Sequence, residues 1–418
     1  MCVGAISPSS TLCSQAKSPA YMKIKSLFDS REYDRIAYSV KPGDNQDDKE
    51  VLSLEVLASH LCLQKKVQSA DGSSSLQTSK QKHVKPTVDY LDGEKRRLCK
   101  LADSAHERYG NDSVLTYLRA VVYQMFGLCP DPTFVEELLV RSIKLNQWNW
   151  AAWLELAQLN SPNSTELEGS ISNFELYRFF KLEQYRAQKQ FSELLSGLRS
   201  LKLKDWSYLD ELEGLCWHEL RDFPKAVLSF DRIIKRDPYY IGGMDVLSNC
   251  FFVLERSTEL SQLATHWLAA NPNAVETNVI VGNYYSLKSQ HEKASLYFKR
   301  ATLVAPSNAN AWLLLGHELI ELRNPSAALA AYQRAAQCPG SAKDLRPWYA
   351  MGQLFELINQ FAFAVYYHNR AVQIDDSDAR VWQALSTCYL KLNRLDESHE
   401  CGLKAKRRSE TEDTRMMF

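Results

Sequence analysis

"AWLLLGHELIELRNPSAALAAYQRA", residues 311–335, decides the fold. It reads as helical, yet Gly316 stands inside the pattern, where glycine costs about 1 kcal/mol relative to alanine. The positions one period away explain it. Moving back in steps of 34 residues gives Gly282, Ser248 and Gly214; moving forward by 36 and then 34 gives Gly352 and Ser386. All six residues are small. Twelve positions after each come Ala226, Leu260, Ala294, Ala328, Ala364 and Ser398, and nineteen after come Ile233, Trp267, Ala301, Ala335, Ala371 and Ala405. Pro238, Pro272 and Pro306 are also 34 apart. A fixed period of this length marks an array of stacked repeats.

The motif matches the tetratricopeptide pattern, W-x-x-L-G-x-x-Y followed by Ala, an aromatic and Pro. It occurs as Trp312, Leu315, Gly316; as Trp348, Met351, Gly352, Phe355; and as Trp382, Leu385, Ser386, Tyr389. Phe230, Phe298 and Tyr332 supply the later aromatic. Each unit is two antiparallel helices. Small residues such as Gly316 and Ala328 let the pair approach, large ones such as Trp312 and Tyr332 fill the space beside them, and packing outweighs the helical cost of glycine. The fold class is therefore all-α, a tetratricopeptide-repeat (helix-turn-helix) superhelical solenoid. Gly214, Ala226, Phe230, Gly282, Ala294, Phe298, Ala301, Trp312, Gly316, Ala328, Tyr332, Ala335, Trp348, Gly352, Ala364, Ala371 and Trp382 are its expected packing residues.

The expected organisation is a disordered tail over 1–20, a partial repeat over 21–40 and a largely disordered insert over 41–92. Divergent helical pairs follow over 93–206, six consecutive repeats over 207–408, and a polar tail over 409–418. The insert is expected from "KPGDNQDDKE" and "SADGSSSLQTSKQKHVKP", which hold little to bury; "VLSLEVLASHLCLQ" between them is a candidate short helix. "FFKLEQYRAQKQFSELLSGL" (179–198) reads as a helical pair without the signature glycine.

Composition narrows function. Lys+Arg and Asp+Glu are 50 each, so no net field favours nucleic acid or an anionic membrane. The first 20 residues lack a signal-peptide pattern and no apolar run approaches the roughly 20 residues of a membrane span. The ten Cys are scattered without a C-x-x-C and read as core residues of a reducing compartment. Five His-Glu pairs begin at His106, His218, His291, His317 and His399, but the residue four places on is Gly110, Asp222, Ser295, Glu321 or Leu403, so none makes the zincin pair. No phosphate loop or nucleophile elbow occurs. The expectation is a non-enzyme that takes no cofactor or metal. "KAKRR" (404–408) is either a nuclear import signal or the solvated end of a helix.

What remains is a binding face. The residue after each small position points into the concave groove: Leu215, Asn249, Asn283, His317, Gln353 and Thr387. Asp245, Arg346, Arg380 and Gln383 lie within a turn or two. Asn and Gln suit the backbone of an extended peptide. The candidate groove residues are thus Asp245, Asn249, Asn283, His317, Arg346, Gln353, Arg380 and Gln383, with Asn283 expected to be exposed.

"VGNYYSLKSQHEKASLYFKRA" (281–301), the two segments that follow it, "KRDPYYIGGMDVLSNCFFVLERSTELSQLA" (235–264), "WAAWLELAQL" and "LFDSREYDRIAY" closely resemble the Cdc23-type tetratricopeptide subunit, subunit 8, of the anaphase-promoting complex. The resemblance implies a non-catalytic scaffold in a multisubunit cell-cycle ubiquitin ligase, in nucleus and cytoplasm. Its partners would be other subunits and activator proteins, whose short basic motifs enter the C-terminal groove. Family members homodimerise through N-terminal repeats and carry further repeats before residue 21 and after 408. The expectation is a form shortened at both ends. A second reading is a co-chaperone adaptor that clamps a chaperone's C-terminal carboxylate. That clamp needs Lys and Asn on one first helix, Asn on the next, and Lys plus Arg on the third; Asn249 and Asn283 are present, but one turn before them stand Asp245 and Val279, not Lys.

Overall fold

The computed structural model describes residues 19–39, 49–73, 88–126, 132–159, 175–201, 206–338 and 344–417. These residues hold 21 helices and no strand. The chain divides into two compact units, Met1–Lys202 and Leu203–Phe418.

The second unit carries the regular array. Its helices are α10 (Ser207–Glu219), α11 (Phe223–Arg236), α12 (Met244–Val253), α13 (Ser257–Ala270), α14 (Val275–Leu287), α15 (His291–Val304), α16 (Ala309–Glu321), α17 (Pro325–Gln337), α18 (Arg346–Leu357), α19 (Phe361–Ile374), α20 (Ala379–Lys391) and α21 (Leu395–Met417). Successive helices form six antiparallel pairs.

Gly316 is explained by one contact. A Cβ there would lie 2.3 Å from a ring carbon of Tyr332, a side chain with no exposed surface. The ring of the second helix packs directly against the backbone of the first. The same geometry recurs at Gly214 against Phe230, Gly282 against Phe298 and Gly352 against His368. Where Ser replaces Gly, the opposite residue shrinks: sixteen positions after Ser248 stands Ala264, and after Ser386 stands Gly402. Ala226, Ala294, Ala301, Ala328, Ala335, Ala364 and Ala371 are all fully buried. Trp312 and Trp382 are half-buried, and each indole N–H donates to the carbonyl six residues earlier, at Pro306 and Asp376, both 2.9 Å. That bond fixes the connector into these two repeats.

The two helices of a pair are joined by a turn whose apex is in the left-handed region. Arg221, Glu255, Ser289, Arg323, Asn359 and Asn393 have φ between 54° and 61°. At the first of these, Asp222 N–H bonds to Trp217 C=O and Arg221 N–H to His218 C=O, the paired bonds of a Schellman helix ending. Asp222 and Asn324 then cap the next helix through their side chains, with Pro224 and Pro325 in its first two positions.

The first unit contains α1 (Pro19–Asp29), α2 (Tyr33–Ser39), α3 (Lys49–Ser73), α4 (Val88–Arg108), α5 (Ser113–Phe126), α6 (Pro132–Leu145), α7 (Trp150–Leu159), α8 (Glu175–Ala187) and α9 (Phe191–Ser200). The left-handed turn reappears at Arg31 between α1 and α2 and at Lys189 between α8 and α9. Trp153 donates to Gln147 C=O at 2.9 Å, again six residues back. At the position of the signature glycine in α8 stands Leu182, and Gly197 on α9 makes room for it: a Cβ there would meet a Leu182 methyl at 2.8 Å.

Two expectations need correction. The segment 41–92, expected to be largely disordered, contains all of α3 and opens α4. Val51 and Ala58 of α3 pack with Tyr21, Ile24 and Ile36, while Val56 and Leu63 pack with Leu98, Ala102 and Leu115. A helix buried on two sides shows little one-sided periodicity, and polar flanks dominate its composition. Residues 41–48 and 74–87 lie outside the described residues, as do residues 1–18 of the expected tail. At the other end, 409–417 continues α21 rather than leaving it. "SETEDTRMM" holds neither the Gly nor the Pro that would stop a helix.

Candidate functional site

The row of residues after each small position divides in two. Asn283 is buried, not exposed as expected. Its amide donates to Ser248 Oγ at 2.8 Å and to Asn249 Oδ1 at 2.7 Å. Asn249 is half-buried as the acceptor. First helices of adjacent repeats stand side by side, so two amides at equivalent positions can satisfy each other instead of a ligand. His317, Gln353 and Thr387, further along the row, are exposed and line one concave cavity.

That cavity, about 700 Å³, is walled mainly by residues one turn beyond the row. Phe252, Ile320, Leu357 and Phe361 give it an apolar side; Glu318, Glu321 and Glu356 give it an acidic one; Lys391 stands at its end. Adding three or four to each row position, from Asn249, Asn283, His317, Gln353 and Thr387, reaches Phe252, Ser286, Glu321, Glu356 and Lys391. This shift was the signal available in the sequence. Glu318 is buried and accepts from Ser286 Oγ at 2.7 Å and pairs with His291 Nδ1 at 2.9 Å. Protein crowds His317 inside the concave face, and the loss of solvation pulls its pKa below the ordinary value. Its Nδ1 shares a hydrogen bond with the Tyr332 hydroxyl at 2.9 Å.

The remaining candidates lie elsewhere. Arg346 folds back on Asp344 at 2.9 Å, and Arg380 on Asp378 at 2.7 Å. Gln383 is exposed outside the cavity lining. Asp245 is half-buried; desolvation, with Glu276 and Glu211 nearby, raises its pKa to about 6. Asp378 feels burial too, but bonds from Arg380 and the charge of Arg221 outweigh it and hold the carboxyl below its usual range. Arg221, at the turn of the first pair, stands 3.5 Å from Asp378, at the start of the sixth. Within this unit the array curls far enough for pairs five repeats apart to meet.

"KAKRR" lies on α21. Lys404 stacks over the Trp382 ring at 4.7 Å and Arg408 pairs with Asp376. The seven described cysteines are buried and unbridged. No described helix is long and apolar enough to cross a membrane.

Residues 5–213, half of the chain, match the family model "Anaphase promoting complex subunit 8 / Cdc23", and residues 309–337 match the tetratricopeptide repeat model. Subunit 8 of the anaphase-promoting complex of Arabidopsis thaliana is 30% identical over 312 residues, covering 73% of this chain and 51% of that protein. The subunit CDC23 of Saccharomyces cerevisiae is 25% identical over 376 residues, covering 76% and 59%. The human cell division cycle protein 23 homolog is 32% identical over 250 residues, covering 59% and 39%. This chain thus spans about half the length of the curated relatives it matches. In fold it is similar to a chain in the crystal structure of the APC/C hetero-tetramer Cut9-Hcn1, with a TM-score of 0.57, 14% identity, and coverage of 93% of this chain and 78% of that one. A left-handed turn recurring through both units, six glycine- or serine-centred pairs and a family match across the divergent half agree: the chain belongs to the anaphase promoting complex subunit 8/Cdc23 family.

Proposed function

We propose that this chain is a non-catalytic scaffold of the anaphase-promoting complex, binding neighbouring subunits and receiving a short activator segment in the groove of its second unit. The observation that carries this, beside family membership, is the cavity over α12, α14, α16, α18 and α20. It joins four large apolar side chains to three glutamates. Such a lining suits an extended segment that carries a cationic side chain next to an aliphatic one. The same acidity disfavours the co-chaperone reading, because the C-terminal carboxylate of a chaperone would face Glu318, Glu321 and Glu356 with Lys391 as the lone lysine of the lining.

Calorimetry with a synthetic basic activator peptide tests the groove. Glu321→Lys, on the cavity wall, should weaken binding at least tenfold, about 1.4 kcal/mol. Unchanged affinity would remove the cavity from the reading. Recovery of cullin and RING subunits with the tagged chain from cell extract tests the scaffold role, and recovery of chaperones alone would replace it.

A further inference from the structure

We propose a zinc site formed by Glu356, His368 and Cys388, three side chains from three consecutive helices, α18, α19 and α20. One ligand atom from each lies within 4.8 Å of the others. His368 Nε2 is 2.7 Å from Glu356 Oε1, and Cys388 Sγ is 3.1 Å from the same oxygen. His368 and Cys388 are buried, while Glu356 is partly exposed and, with Cys388, opens into the cavity. A thiolate, an imidazole and a carboxylate are the donors zinc takes, and three of them with an open side leave the fourth position for water. Around a zinc at 2.0–2.3 Å the donors would stand roughly 3.3–3.7 Å apart, so the carboxylate would withdraw by about half an ångström while the imidazole and thiol, within 4.8 Å of each other, settle to the same spacing.

Without metal the cluster is a hydrogen-bonded set in which Glu356 accepts from both neighbours, and those bonds outweigh burial and hold its pKa below the ordinary value. Zinc takes the place of those bonds. Cys388 gives up its thiol proton to solvent, and the single proton of neutral His368 moves from Nε2 to Nδ1. That nitrogen is buried and has no partner, so the site lacks the outer hydrogen bond that usually strengthens a histidine ligand, and binding is weaker than in a closed structural site. The metal would tie the fifth helical pair to the sixth. No sequence motif announces it, since the ligands lie 12 and 20 residues apart.

The test is a zinc titration of the full chelator-stripped chain, with cobalt(II) as spectroscopic reporter. His368→Phe is the central variant: phenylalanine occupies the equivalent position against glycine at Phe230 and Phe298, so packing survives while a ligand is lost. The expected result is one zinc per chain with a thiolate-to-cobalt charge-transfer band. His368→Phe and Glu356→Gln should weaken binding at least about 100-fold, and Cys388→Ser should abolish the band. Absence of stoichiometric zinc, or equal uptake by His368→Phe, would reduce the cluster to its hydrogen bonds and overturn the proposal. Circular dichroism of each variant separates ligand loss from misfolding.

Discussion

The two units of this chain use the same devices and write them differently. In the second, a glycine on the first helix faces an aromatic ring on the second. In the first, at α8 and α9, the large side chain is Leu182 on the first helix and the glycine is Gly197 on the second. In both a large side chain meets a glycine, but only one order of the two makes a recognisable motif. The turn tells the same story, with Lys189 and Arg323 sharing one backbone conformation without sharing a residue type. The half that reads poorly as repeats is also the half matched by the family model. Departure from the consensus is what distinguishes one repeat protein from another.

The largest expected effect separates the two orders of packing. Gly316→Leu would drive a side chain into a fully buried tyrosine ring held on every side. It should cost about 3 kcal/mol, the upper end for overpacking. Gly197→Ala meets one flexible Leu methyl and should cost about 1 kcal/mol or less. Urea unfolding of both variants checks this. Equal midpoints would mean that the contact seen at Tyr332 relaxes as easily as the one at Leu182.

Each unit also holds an acid that burial lifts well above its usual pKa. Burial raises Glu55 on α3 to about 7 against the opposing charge of Arg97, and Asp245 on α12 to about 6. Both folded values lie above the unfolded ones. The folded state therefore binds more protons, and stability falls as pH rises from about 4.5 to 7 for Glu55 and from about 4 to 6 for Asp245. With 1.36 kcal/mol per pKa unit and a discount for solvent access, each costs about 2 kcal/mol at pH 8. Glu55→Gln and Asp245→Asn should recover that at pH 8 and nothing at pH 4. A stabilisation that does not depend on pH would assign the gain to packing instead.

An amide bridges neighbouring repeats in both units. Asn283 bonds Ser248 and Asn249; Asn149 bonds Ser142 Oγ at 3.1 Å and reaches Ser113 Oγ at 3.4 Å. Asn283→Ala should lower stability by about 1–2 kcal/mol, because Asn249 Oδ1 loses its donor, and Asn149→Ala by about 1 kcal/mol or less, because the Ser113 and Ser142 hydroxyls still bond each other and each other's carbonyls. A loss of peptide affinity with no loss of stability at Asn283 would return it to the groove.

How much of this was legible follows from what a one-dimensional pattern can carry. The spacing of Gly214, Gly282, Gly316 and Gly352 disclosed the array because each glycine answers the same ring. It also drew a row of residues of which His317, Gln353 and Thr387 line the cavity. It misjudged Asn283 because a residue's neighbour 34 positions away is a spatial fact. It missed Glu318 and Glu356 because the cavity wall includes, beside the row itself, the residue next to it and the next turn of each helix. Of α3 only the apolar stretch 51–64 was read, as a short helix inside a disordered insert, because burial on two sides removes the one-sided pattern.

The smallest expected effect is the cleanest test of equivalence between the units. Lys189 and Arg323 hold φ of 58° and 56° at the apex of the same turn. A side chain there crowds the adjoining carbonyl at a cost of about 1 kcal/mol, which glycine escapes. Glycine also gives the unfolded chain more freedom, which offsets about half of the gain. Lys189→Gly and Arg323→Gly should therefore each stabilise by about 0.5 kcal/mol, in parallel, as both turns use the Schellman bonds of Gln190 N–H to Tyr185 C=O and Asn324 N–H to Leu319 C=O. The parallel matters more than the size. If Arg323→Gly stabilised while Lys189→Gly destabilised, the α8–α9 turn would depend on its side chain, and the divergent pair would be a different structure with a similar backbone trace.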